Sequence, residues 1–121
     1  MYQIKEVVLR NQHHEKNILV IEFDQPEMAI VGEFLMTDAA LADHAALNEI
    51  NQVLSGEKTT AEFSGNRCAL SIGQDTTTIT DLFDAADGIP VYNDYEIKTD
   101  TLRGLIRMWL DKLQAVKKDQ H

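Results

Sequence analysis

The stretch "YEIKTDTLRGLIRMWLDKLQ", Tyr95–Gln114, changes its period partway along. Tyr95 and Ile97 alternate with Glu96 and Lys98, as in a strand with one covered face. From Leu102 onward the apolar residues return at helical spacing, through Leu105, Ile106, Trp109, Leu110, Leu113 and Val116. Thr99 or Asp100 stands where a helix cap belongs. A strand that feeds an amphipathic helix needs a sheet for the helix stripe to lie on, and this sets the expectation for the rest of the chain.

Upstream segments supply that sheet. Residues 91–98, "VYNDYEIK", place Val91, Asn93, Tyr95 and Ile97 on one face if extended, and 76–83, "TTTITDLF", reads as a further strand. In 59–73, "TTAEFSGNRCALSIG", Ala61 and Phe63 point one way, Gly65-Asn66 turn the chain, and Cys68, Leu70 and Ile72 alternate on the return. Residues 37–57, "TDAALADHAALNEINQVLSGE", predict a helix capped by Thr37 or Asp38, striped by Leu47, Ile50 and Leu54, and stopped by Gly56. At the N-terminal end "YQIKEVVLR" and "ILVIEF" flank the polar "NQHHEKN" as a hairpin. In "MAIVGEFLM", Ile30, Val31 and Phe34 favour a third strand, with Gly32 as a bulge. The expected fold is α+β, an antiparallel sheet of about five to seven strands with two helices packed on it, in one domain spanning residues 1–121.

A chain of 121 residues with 44% hydrophobic residues has enough apolar material for one core without disulfide or metal. No apolar run has bilayer-spanning length, and "MYQIKEVVLR" lacks the apolar core of an export signal. The lone cysteine, Cys68, reads as a small buried hydrophobe, and a reducing cytoplasm is the expected compartment.

Catalytic and metal-binding patterns are missing from the sequence. There is no glycine-rich phosphate loop and no serine elbow, and no histidine pair stands at helical metal spacing. "DLFDAADG" fails as a calcium loop because Phe83 and Ala85 would fall at ligand positions, so Asp87-Gly88 reads as a turn. His13 and His14 are adjacent and point apart in an extended segment, which makes "HHE" an exposed loop and a poor chelate. His44 is expected to be partly buried in its helix, and His121 is terminal. The expectation is no enzyme, no cofactor and no metal.

The net charge of −9 argues against tracking a phosphate backbone or an anionic lipid surface, and so against a direct nucleic-acid or membrane partner. Its distribution is uneven. Between Asn17 and Glu57 there are eight acids and no Lys or Arg; from Asp75 to Asp100 there are seven acids and one cation, Lys98. The last helix holds compensating cations, with Arg107 and Asp111 spaced to pair. If "VYNDYEIK" is a strand, Tyr92, Asp94 and Glu96 face water together. A ring flanked by carboxylates suits a surface that grips Lys and Arg. The residues expected to contact a partner are Asp81, Asp84, Asp87, Tyr92, Asp94 and Glu96.

The strand, the Thr-Asp cap and the tryptophan-bearing helix of Tyr95–Gln114 together resemble the ending of small bacterial immunity proteins. Those proteins neutralise the C-terminal toxin domains of contact-dependent growth inhibition and related polymorphic toxin systems. The resemblance covers about a sixth of the chain. It implies a cognate toxin domain as partner, a basic nuclease whose substrate groove or exosite the acids would occupy, and a monomer or weak dimer. The residues leave two other readings open: a small ligand-binding domain or enzyme with a carboxylate-lined pocket, and an accessory protein that self-associates through a sheet edge.

Overall fold

A computed structural model describes residues 1–83, 88 and 91–119. Two long strands, β1 (Tyr2–Asn11) and β2 (His14–Phe23), form an antiparallel hairpin closed at Gln12-His13. A 3₁₀ turn over Pro26–Met28 leads into α1 (Ala29–Thr37), which is followed by α2 (Leu41–Leu54). Strands β3 (Ala61–Ser64), β4 (Cys68–Ile72), β5 (Thr76–Asp81) and β6 (Tyr95–Lys98) make a second antiparallel sheet in the order β3-β4-β5-β6. The helix α3 (Thr99–Asp119) follows β6 directly. The α+β class and the antiparallel pairing agree with the expectation. Among the described residues, however, the six strands are divided between sheets of two and four, and there are three α-helices where two were expected.

The added helix is α1, read above as a strand. The β-branched Ile30 and Val31 favour a strand in isolation, but burial decides. Ile30, Val31, Phe34, Leu35, Asp38 and Ala39 are all buried, and that spacing marks one face of a helix. Nor is Gly32 a bulge. It sits in α1 where the helix meets β2, and a Cβ there would lie 3.3 Å from the Ile21 carbonyl oxygen. The missing side chain lets helix and strand approach.

One core cluster gathers Phe34 and Leu35 of α1, Ile50 and Val53 of α2, Leu70, Ile72, Ile79 and Ile97 of the larger sheet, and Leu102, Ile106 and Trp109 of α3. All three helices lie against the sheet face that carries those residues. The register aligns Glu62, Ser71, Thr78 and Glu96 in one row on the opposite face. The α3 stripe buries Leu102, Ile106 and Trp109, while Leu105 and Leu113 are half-buried rather than fully enclosed as their period implied. At the β6–α3 junction the buried Thr99 hydroxyl donates to the Gly73 carbonyl at 2.6 Å and shares a 2.8 Å hydrogen bond with Thr77. Arg107 and Asp111 do not pair; on this helix Arg103 reaches Asp100 at 2.7 Å.

The start of α2 is strained. Ala42, Asp43 and His44 have φ of 53°, 56° and 66°, a left-handed turn made without glycine. Each L-residue so placed costs about 1–2 kcal/mol. Ala42→Gly is therefore expected to raise stability by about 1 kcal/mol, read as a higher urea midpoint; a lower midpoint would show that the turn is not strained. This turn leaves His44 exposed, contrary to the partial burial expected of it mid-helix.

Candidate functional site

The site is organised around a cation that charge counting passed over. Arg67 lies in the β3–β4 turn, and its guanidinium makes two hydrogen bonds to Asp81 at the end of β5, from Nε and Nη2, each 3.0 Å long. The side chain of Asp81 is 1% exposed and that of Arg67 is 11% exposed. The Asp81 carboxylate also accepts from the backbone amides of Phe83 and Tyr92, both at 3.0 Å. Burial pushes the Asp81 carboxyl up, but the Arg67 hydrogen bonds and the two amides outweigh it and hold the group below its usual range. Hydrogen bonding to Asp81 in turn holds the Arg67 guanidinium above its ordinary range, with a smaller contribution from the nearby Glu33 carboxylate.

A second buried carboxylate supports the same turn. Asp38, fully enclosed after α1, accepts from the backbone amides of Asn66, Arg67 and Cys68 at 2.8, 3.0 and 2.7 Å. It was expected to cap a helix; it caps the β3–β4 turn instead. Gly65 is required there, because a side chain would run into the Asp38 carboxylate. The neighbouring Cys68 is buried as expected. Burial pushes its thiol up to about 12, with Asp38 and Asp81 adding to the effect, so it stays protonated and inert at neutral pH.

These contacts place Tyr92. The Arg67 guanidinium carbon lies 4.2 Å from the Phe83 ring centroid and 5.5 Å from that of Tyr92. Tyr92 is half-buried and lines a cleft of about 380 Å³ between β2 and α1. Glu22 of β2 and Glu33 of α1 line the same cleft, with Phe23, Gly32 and Met36, and among the described residues no Lys, Arg or His lines it. Glu22 has a loose exposed contact with Lys5 at 3.7 Å. The acids of this cleft come from the first acidic stretch, and from the second the neutral Tyr92 reaches it.

The expected partner-binding residues separate accordingly. Asp94 and Glu96 are exposed, Glu96 on the edge strand β6. Tyr92 is half-buried rather than facing water beside them, because its ring packs near Arg67 and the core. Asp81 is a correction: it is no surface acid, since Arg67 and two backbone amides consume its lone pairs in the interior. Asp84 and Asp87 lie outside the described residues. The sequence reading missed Glu33 and Arg67. The signal for Arg67 was present, since it is the lone Arg between Asn17 and Asp100, which is hard to explain as a surface charge.

Two other features fall outside the acidic cleft. A groove of about 1050 Å³ runs between β2 and α3, walled by Ile18, Leu19, Leu110 and Leu113. Its ionisable lining is Lys16, His44, Arg107 and one carboxylate, Asp111, which does not supply the paired carboxylates of acid–base hydrolysis. The far half of the β1–β2 hairpin is exposed, including Val7, Val8 and Leu9, and "HHE" lies at its tip, with Glu15 paired to Arg10 at 3.2 Å. Among the described residues no three His, Cys, Asp or Glu side chains cluster to hold a metal ion, and no helix is long and apolar enough to cross a membrane.

No protein-family model matches the chain, and no solved structure matches it. Among curated proteins, one from Bacillus cereus named "Immunity protein" is 36% identical over 104 residues, which is 85% of each chain. The alignment extends well beyond the C-terminal piece that carried the resemblance. At that identity and coverage, the chain belongs to the family of this immunity protein.

Proposed function

We propose that the chain is an immunity protein that binds a cognate toxin domain and neutralises it by occupation, performing no chemistry of its own. Family membership carries the immunity role. The finer reading, a basic nuclease toxin held by an acidic surface, is supported by the net charge of −9 and by the acids Glu22 and Glu33 lining a cleft beside Tyr92. A nuclease must attract phosphate, so its substrate groove carries cations that an acidic inhibitor can cover. In this reading two exposed acidic regions attract the toxin: the cleft acids Glu22 and Glu33, and Asp94 with Glu96, the latter on the sheet face turned away from the helices. Its setting is a contact-dependent growth inhibition or related polymorphic toxin system in the cytoplasm of the protected cell.

The test uses the toxin domain encoded beside this chain. The expected results are a stable complex on gel filtration, loss of the domain's nucleic-acid cleavage at equimolar inhibitor, and rescue of growth on co-expression. A complex with a toxin that cleaves no nucleic acid would retain the immunity role and overturn the nuclease assignment. Absence of both complex and rescue would overturn the immunity role.

A further inference from the structure

We infer that the cleft between β2 and α1 is a socket for one arginine side chain of the partner. The inference rests on the reading of the chain as a toxin-binding protein, and it names the chemistry of the central contact. At about 380 Å³ the cleft is near the lower end of small-ligand sites, about 300–1,000 Å³, which suits a single long side chain better than a substrate. Its composition is that of an amphipathic cation's receptor. Phe23 and Met36 offer apolar wall to an aliphatic stem, the half-buried Glu33 offers a carboxylate to a charged head with Glu22 at the rim, and Tyr92 offers a ring.

Charge complementarity selects the occupant. Among the described residues Glu33, which is half-buried, makes no ion pair and no basic residue lines the cleft, while Arg67 behind it already serves Asp81. A bare metal ion is a poor fit, because two carboxylates fall short of the oxygen count that calcium or magnesium requires. Between the two basic side chains, the planar guanidinium stacks on rings and forks onto carboxylates, whereas an ammonium is a compact, strongly hydrated point charge. The fold already uses that chemistry once, in Arg67 over Phe83 and Tyr92 and beside Asp81. A partner arginine entering from solvent would repeat it on the outer side.

The test needs no toxin. Amide shifts of the labelled full chain are followed by NMR during titration with Nα-acetyl-arginine amide and, separately, with its neutral isostere Nα-acetyl-citrulline amide. The expected result is a set of shifts concentrated at Phe23, Gly32, Glu33 and Tyr92 with the arginine probe. Binding should weaken about tenfold (1.4 kcal/mol) with citrulline, and by a similar factor in Glu33→Gln. Melting curves establish that the variant is folded. Equal shifts with both probes, shifts scattered over the acidic surface, or no shifts at the cleft would each overturn the socket. The two readings fail separately. A toxin that binds while arginine does not localise to the cleft removes the socket and leaves the immunity role; an arginine-filled cleft on a protein that binds no toxin does the reverse.

Discussion

Asp81→Asn is expected to cost about 3–5 kcal/mol of folding stability, because it strands the Arg67 guanidinium in the interior without its counter-charge. That is a large part of the 5–15 kcal/mol that typically holds a domain folded. Removing both charges together, as Arg67→Met with Asp81→Leu, should cost much less, since neither desolvated charge is left alone. Urea unfolding of the three proteins distinguishes this from simple loss of packing, in which the double variant would be the worst. The pair also has a pH signature. The folded carboxyl is held below its unfolded value of about 3.9, so its contribution is present above that pH and is lost as pH falls through the folded value. The wild type should therefore lose stability more steeply than Asp81→Asn below about pH 4. Parallel acid profiles would show that Asp81 is not the buried anchor described here.

Trp109→Ala is expected to cost a similar amount, about 3–5 kcal/mol, through the cavity left between α3 and the sheet. Trp109 is 1% exposed, and its indole nitrogen has no hydrogen-bond partner among the described residues. That second fact makes Trp109→Phe informative. The smaller ring loses apolar contact, but it also removes a buried N–H for which no described residue is the acceptor. Trp109→Phe should therefore be far milder than the alanine change. Thermal melts of both variants check this, and an unchanged melting temperature for Trp109→Ala would place the ring outside the core.

The parts of the fold that could be read from the sequence are those where local pattern and burial agree. The change from period two to helical period at Thr99 marks β6 and α3, and the alternation of Cys68, Leu70 and Ile72 marks β4. Residues 29–37 were misread because the choice of β-branched side chains and their spacing disagree, and the spacing wins once both Ile30 and Val31 must be buried. The acidity of the surface was legible as composition, but not which acids belong to it. Asp38 and Asp81 look like their neighbours in sequence and are internal because five backbone amides and one arginine are waiting for them. The pairing of Glu33 with Tyr92 across one cleft depends on the tertiary fold of α1 against β2, which no local pattern encodes.

If acidic groups on the surface recruit a basic toxin, as proposed above, association kinetics must depend on them. Asp94→Lys with Glu96→Lys reverses two exposed charges, where substitutions ordinarily change stability by about half a kcal/mol or less, so the melting temperature should hold. The measurement is the association rate with the neighbouring toxin domain at low and at physiological ionic strength. Association is expected to slow about tenfold or more at low salt, with a smaller difference at high salt and a dissociation rate close to wild type. A folded double variant that associates at the wild-type rate at both ionic strengths would contradict it.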